Sequence, residues 1–366
     1  MTPTANTELP SHHAVGAIAG VGRMAVEQRP TPTSRPGRVI VEVSHCGVCG
    51  TDLHMVMEGW GQPGRVGGHE YSGVVVEVGD DVVGWTLGDR IVCGPDPTCG
   101  TCDACRRDQP TQCARREEIA SGLKFDGAFA QFVSVDARSL RRVPLDLSLR
   151  VAALAEPLAI ALHALNRSGV RERTSPIMIM GAGPIGALIL ALLVAEGRPD
   201  ITVCEPGLAR ANLARDLGAS DVIHPTDLTT FSIAEPDRIA PQAVGVVFEC
   251  SGKRSAMEAS LSQLDRGGML VLVGSGIEPP SFDPNRIILC ELNICGAFNY
   301  DADGFEQALA WLASGRLPTD RLIEPDDVPL DQLTDAMSQL VAGIRGGKVL
   351  AVPLASIPEP RSNEAT

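Results

Sequence analysis

No long run of lysine or arginine occurs in this 366-residue sequence, and its formal net charge is −14. Binding to a nucleic-acid backbone rests on clustered basic side chains, so no nucleic-acid partner is expected. Long apolar runs are missing as well. GALILALLVA reads as a buried helix, too short to cross a bilayer, and AVGAIAGVG is short and broken by glycine. Two histidines rather than a basic region precede the latter, so no secretory signal is read. The expectation is a cytoplasmic protein with no membrane partner. The charged fraction of 21% and the hydrophobic fraction of 44% are ordinary for a globular protein, and the length implies two domains.

Cysteine, in contrast, is abundant at eleven residues. Without an export signal these read as reduced thiols suited to metal binding rather than as disulfides. Residues Met1 to about Ala14 are rich in Thr, Pro and polar residues and read as a flexible tail. From Ala17 to about Val143 short Val-rich runs such as RVIVEVSHC, YSGVVVEVGD, DRIVCG and AFAQFVSVD alternate with Gly, Pro and Asp, and no long helical period interrupts them. From about Leu154 the pattern becomes strand, helix, strand: PIMIMGAG, PIGALILALLVAEG, DITVCEP, LARANLARDLGA, DVIHP, AVGVVFECSG, SAMEASLSQLDRGG and GGMLVLVGSG. That alternation predicts an α/β fold with a doubly wound parallel sheet.

GAGPIG follows a predicted strand and opens a predicted helix. Gly181 permits the turn, Gly183 lets backbone approach a pyrophosphate, and Gly186 allows close helix–sheet packing, with Pro184 and Ile185 inside the motif. Glu205 ends the next strand, where a carboxylate accepts hydrogen bonds from a ribose diol and repels a 2′-phosphate. The pattern therefore favours NAD over NADP. Arg210 is a further candidate at that ribose, with an exposed helix arginine as the plain alternative.

Two groups of metal-competent residues stand out. Cys99, Cys102, Cys105 and Cys113 in CGTCDACRRDQPTQC fit a closed tetrahedral Cys₄ zinc site, against the alternatives of two disulfides or a buried thiol cluster. Upstream, HCGVCGTDLH and GGHEYSG supply Cys49, His69 and Glu70, a mixed ligand set of the kind a catalytic zinc with an open position needs. Cys46 and Cys49 alone also fit a redox C-x-x-C pair, but no thioredoxin-like strand and helix surround them.

GVCGTDLH, GGHEYSG, the four-cysteine stretch, AEPLAIALHAL, GAGPIG, VVFECSG and VLVGSG, in this order from about Ala17 to Pro353, resemble the zinc-dependent medium-chain dehydrogenase/reductase family, and its sorbitol, threonine and butanediol dehydrogenase branch above all. The resemblance implies a GroES-like β-rich catalytic domain over residues 15–157 and 298–366, with a zinc lobe at 93–113. It also implies a Rossmann domain over 158–297. Two zinc ions per chain follow, one structural and one catalytic, the latter held by Cys49, His69, Glu70 and Glu156. Glu156 alone would otherwise read as a carboxylate at a helix start. Thr51 is implied to take the alcohol proton and His54 to pass it to solvent. Cys250 and the segment Val273, Gly274 and Ser275 are implied to touch NAD. The substrate is then a small alcohol or polyol and the assembly a homodimer or homotetramer. Trp60, LKFDGAF and FNYDADG are candidates for lining the pocket. A zinc-free enone reductase and a non-catalytic zinc- and NAD-binding protein are the competing classes, and neither has a use for the Thr51–His54 pair beside three zinc ligands.

Overall fold

The computed structural model describes residues 8–94, 98–115, 127–172, 174–276 and 278–353. The Val-rich runs of the first part become β1 (His12–Gly20), β2 (Arg23–Pro30), β3 (Arg38–Gly47), β4 (Glu70–Val78), β5 (Arg90–Cys93), β6 (Phe132–Asp136) and β7 (Leu140–Arg142). The parallel run follows as β8 (Ile177–Met180), β9 (Ile201–Cys204), β10 (Asp221–Ile223), β11 (Val244–Glu249), β12 (Leu264–Leu272) and β13 (Asn293–Gly296). β14 (Val328–Pro329) and β15 (Leu350–Val352) close the chain. The helices of eight residues or more are α1 (Gly50–Met57), α2 (Ala155–Ser168), α3 (Pro184–Ala195), α4 (Leu208–Asp216), α5 (Arg254–Gln263), α6 (Gly304–Ala313) and α7 (Leu333–Val341). Among the described residues no helix is long and apolar enough to cross a membrane.

β1 and β2 form an antiparallel hairpin beside a seven-stranded sheet ordered β14-β15-β3-β4-β5-β7, with β6 also on β3. The second sheet is parallel throughout, ordered β10-β9-β8-β11-β12-β13. Its chain runs outward from β8 to β10, then returns to β11 beside β8. Strand order therefore reverses between β8 and β11, and the crevice beyond their carboxyl ends is where such sheets take ligands. α3, apolar on nearly every face, is buried against this sheet, as an all-round hydrophobic helix must be.

Two local departures from the sequence reading have simple causes. β1 starts at His12, inside the expected tail, because His12 to Ala14 pair with Gln28 to Pro30 and His13 Nδ1 accepts the Phe132 N–H. α1 interrupts the β-rich part; eight residues are too few to show a helical period. α6 puts Phe305, Ala308, Leu309 and Leu312 into one core with Ile179, Leu188 and Leu162. That core also takes in Val92, Val143 and Leu350, so α2 is a wall shared by both sheets.

Gly68, next to His69, has φ +91°, and a Cβ there would meet Cys46 Sγ at 2.7 Å and the Phe129 nitrogen at 2.9 Å. Gly68→Ala is expected to cost about 1–3 kcal/mol of stability, a positive-φ strain compounded by the collision. Urea unfolding should show a lower midpoint at unchanged slope.

Candidate metal and nucleotide site

β3 delivers the chain to Cys49, which caps the amino end of α1. Asp52, three residues on, takes the Cys49 N–H on one oxygen at 2.9 Å and the Gly68 N–H on the other at 3.1 Å. One buried carboxylate thus ties the turn of Cys49 to the turn of His69. Cys93 secures the second turn, its thiol donating to the His69 carbonyl at 2.6 Å. The outcome is that Cys49, His69 and Glu70 each place a ligand atom within 4.8 Å of the others. Burial pulls the His69 imidazolium down, but Cys49, Asp52 and Glu156 outweigh it and leave its pKa well above the ordinary value.

The two further acids of the site are held differently. Glu70 is 1% exposed and both its oxygens accept from Lys348 Nζ, at 2.8 and 2.6 Å. Lys348 is 3% exposed and also donates to the Val48 carbonyl at 3.1 Å. Gly47 leaves the space that the Glu70 carboxylate fills. Glu156, the second residue of α2, is 4% exposed; its Oε1 accepts from the Tyr300 hydroxyl at 2.6 Å, while its Oε2 is buried without a partner. Burial, with the Glu70 charge adding to it, raises its pKa to about 7 against the pull of His69. A buried carboxylate oxygen without a donor is costly, and a cation at that point removes the cost. Thiolate, imidazole and this oxygen together are a donor set that fits zinc. Glu70, twice bonded to Lys348, is the less available carboxylate.

Thr51 Oγ1 lies 3.7 Å from Cys49 Sγ. His54, one turn further along α1, pairs with Glu58 at 2.7 Å and stacks on Trp60 with ring centres 4.8 Å apart. The indole is half exposed. His54 and Glu58 face Ser251, Gly252, Lys253 and Arg254 across an open cleft of about 430 Å³, which joins the β-rich part to the β11–α5 turn. The expected pocket stretch LKFDGAF lies largely outside the described residues; in FNYDADG, Tyr300 reaches the site.

The glycine turn after β8 does what its sequence requires. Gly181 has φ +94°, the space beside Gly183 is open, and a side chain on Gly186 would collide with the Gly181 carbonyl. α3 starts at Pro184 with no side chain capping it, so its first amides are free for an anion; Ile185 is half-buried behind them. Glu205 accepts the N–H groups of Ala182 and Gly207, both at 2.8 Å, and so braces the turn. Its remaining lone pairs can still take a ribose hydroxyl. Arg210 reaches instead toward α7, donating to the Leu340 carbonyl at 3.1 Å, with its Nε buried and unpartnered. Val273 and Gly274 give their N–H groups to the Glu249 carbonyl, and Gly274 packs on Gly252 closely enough to exclude any side chain. Burial raises the Cys250 thiol well above its ordinary range, so it is neutral there. Ser275 places its carbonyl beside Gly252.

In the lobe, Cys99, Cys102, Cys105 and Cys113 form the second tight thiol group, and none is in a disulfide. Cys105 Sγ lies 3.5 Å from Cys102 and 3.8 Å from Cys99. Hydrogen bonds from Thr101 bring Cys99 down to about 5, while desolvation and Cys102 push Cys105 up to about 11. Thiols so crowded cannot all ionise without a cation between them.

Asp52, Cys93 and Lys348 are not singled out by the sequence, and Tyr300 is only within a stretch read as pocket lining. Only Asp52 leaves a local signal, an acid three residues after a helix cap.

The profile described as "Alcohol dehydrogenase GroES-like domain" matches residues 35–145, and that described as "Zinc-binding dehydrogenase" matches residues 184–314. The chain is 32% identical to 2-dehydro-3-deoxy-L-galactonate 5-dehydrogenase of Pseudoalteromonas atlantica, over 86% of this chain and 91% of that one. It is 31% identical to sorbitol dehydrogenase of Bacillus subtilis, over 90% and 94% of the two chains. Among solved structures it resembles 2R,3R-butanediol dehydrogenase of Bacillus subtilis at TM-score 0.77 and 28% identity, covering 93% of this chain and 99% of that one.

Because Glu156 holds its proton up to about 7, a cation must displace that proton below this pH. Zinc affinity, measured by chelator competition, should climb as pH rises toward about 7, and less steeply once Glu156 has lost its proton. Glu156→Gln should lower the slope of log affinity against pH by about one proton. The zinc-free chain has the opposite dependence: a raised carboxylate pKa makes folding less favourable as pH rises from about 4.5 to about 7. Lys348→Met leaves Glu70 buried and unpaired and should cost about 3–5 kcal/mol in chemical unfolding.

Proposed function

The chain belongs to the zinc-dependent medium-chain dehydrogenase/reductase family, and on that premise we propose that it moves hydride between NAD and a secondary alcohol or polyol. The observation that carries this reading is the unpartnered buried oxygen of Glu156, a carboxylate whose charge acts on His69 of the Cys49, His69 and Glu70 group. Cys49, His69 and Glu156 would hold the zinc, with Glu70 engaged by Lys348. Zinc would supply Lewis acidity at the substrate oxygen, and NAD the hydride acceptor.

The residues of the chain do the rest. Thr51 takes the hydroxyl proton beside Cys49 and hands it toward His54. Glu58 and Trp60 hold the His54 ring at the edge of the open cleft, from which the proton leaves to solvent. Gly181, Gly183 and the amides opening α3 receive the pyrophosphate, Glu205 accepts the adenosine ribose hydroxyls, and the Cys250 to Gly252 and Val273 to Ser275 segments frame the nicotinamide. The Glu205 carboxylate favours NAD over its 2′-phosphorylated form. The four-cysteine lobe holds a second zinc whose ligand sphere is full and whose work is to fold the loop.

The named relatives act on a deoxy sugar acid, sorbitol and butanediol, which supports a small polyhydroxylated or vicinal alcohol as substrate. We read the protein as cytoplasmic and as a homodimer or homotetramer. β13 is an edge strand of the parallel sheet, and Ile288, Leu289 and Phe298 beside it are exposed apolar groups suited to a self-contact.

A panel of polyols, sugar acids and vicinal diols should reduce NAD⁺ more efficiently than NADP⁺ on zinc-replete protein. Cys49→Ser should abolish turnover and leave one zinc per chain by metal analysis. Cys102→Ser should lose the other zinc together with several degrees of melting temperature. Turnover that survives both full zinc removal and Cys49→Ser would sink the proposal.

A further inference from the structure

Glu156 offers one oxygen and not the other, and the residue that makes this so comes from a remote part of the chain. Tyr300 lies 144 residues beyond it and donates to Oε1 at 2.6 Å. A carboxylate with both oxygens free can rotate between them; with Oε1 engaged, Oε2 is the oxygen presented. The direction of Glu156 thus depends on how firmly Tyr300 is held.

Tyr300 is fastened by its neighbour. Asp301 accepts from His163 Nδ1 on one oxygen at 2.8 Å and from Asn166 Nδ2 on the other at 2.7 Å. Both partners stand on α2, the helix that carries Glu156. Residues 163 and 166 are three apart and 156 and 163 are seven apart, so all three share one helix face. At about 1.5 Å of rise per residue, Glu156 and His163 sit about 10 Å apart along the axis. Two consecutive residues, Tyr300 and Asp301, therefore grip one helix at both ends of that span.

The backbone around them is also constrained. Asn299 adopts φ +58°, a left-handed conformation that asparagine tolerates, directly before the tyrosine. The Tyr300 ring packs edge-on against Phe305, with centres 4.8 Å apart, and a Cβ on Gly304 would touch Tyr300 and Ala159 together. Hydrogen bonds from His163 and Asn166 keep the Asp301 carboxyl below its usual range, so it is charged at neutral pH.

We propose that Asp301 and His163 are positioning residues for the metal: they clamp the 300–301 segment onto α2, so that Tyr300 commits one oxygen of Glu156 and aims the other. The clamp touches neither metal nor substrate. It sets a ligand through a second hydrogen bond, as partners behind metal ligands do, and such partners typically govern affinity by about 10–100-fold. The proposal rests on Glu156 being a zinc ligand, as argued above.

The test uses the full zinc-loaded chain and its cobalt(II)-substituted form. Tyr300→Phe deletes one oxygen and keeps the ring contact with Phe305; Asp301→Ala removes the clamp and keeps the tyrosine. Each should weaken the more labile zinc by about 10-fold or more in chelator competition and shift the cobalt d–d absorption, while the lobe zinc is retained as before. The melting temperature of the metal-free chain reports any general damage, and Tyr300→Phe decides the matter if Asp301→Ala fails to fold. If either variant, folded, holds both metals like the unaltered chain with an unchanged cobalt spectrum, the proposal is wrong. Glu156→Gln separates the two levels. If it too leaves metal affinity and spectrum unchanged, the assignment of Glu156 as ligand fails; if it alone changes them, only the clamp fails.

Discussion

The interaction on which this structure turns is a surplus of negative charge buried beyond the reach of water. Asp52, Glu70 and Glu156 are all buried within one small region that also contains the Cys49 thiol. Against them stand one lysine and one imidazole. The consequences are legible in the direction of each group. Glu156 is driven up to about 7, His69 is driven up although burial alone would lower it, and Lys348 is held charged by Glu70 despite complete burial. Repulsion among acids in a low dielectric is strong enough that one of them keeps its proton or a cation enters. A dication would take the place of the proton on Glu156 and give its unpartnered oxygen a partner.

Such a site cannot be made by one segment. Cys49 comes from the turn after β3, His69 and Glu70 from the start of β4, Glu156 from α2, Tyr300 from the turn after β13, and Lys348 from just before β15. The strands supply the registration: β3 pairs with β4 on one side and β15 on the other, so Gly47 faces both Glu70 and Leu350. That pairing carries Lys348 to Glu70 across 278 residues of sequence. The same sheet geometry explains why Gly47 and Gly68 have no side chains: one leaves room for a carboxylate, the other for a thiol and a phenyl ring. Lys348 reaches Glu70 only because β15, near the end of the chain, shares a sheet with β3 and β4.

This division decides what the sequence reveals. The glycine turn, the four-cysteine stretch, Cys49 and His69 are legible because their function imposes local spacing or unusual residue types. The alternating strands and helices of the parallel sheet are legible for a similar reason, since each element is long enough to carry its own period. Lys348 is not, because an isolated Lys in RGGKVL has no local mark; FNYDADG reads as pocket lining, but the partners of Tyr300 and Asp301 are tertiary facts. α1 escapes because eight residues hold barely two turns. The first strand begins early because pairing with β2 recruits residues whose composition is that of a tail.

The two thiol-rich groups show why abundance of ligands is a poor guide to chemistry. The lobe has four sulfurs on one short stretch, half-buried and crowded to 3.5 and 3.8 Å, where a metal satisfies every sulfur and is satisfied in return. Nothing there is left over for a substrate. The other group has one sulfur, one imidazole and two acids, and it spends one acid on a lysine. With Glu70 bound to Lys348, the sphere proposed for the metal would have three protein ligands, and a three-ligand sphere is what leaves a position for a reacting oxygen. The buried ion pair is therefore more than neutralisation of a stray charge. By occupying a carboxylate that could complete the proposed sphere, Lys348 would keep a position open.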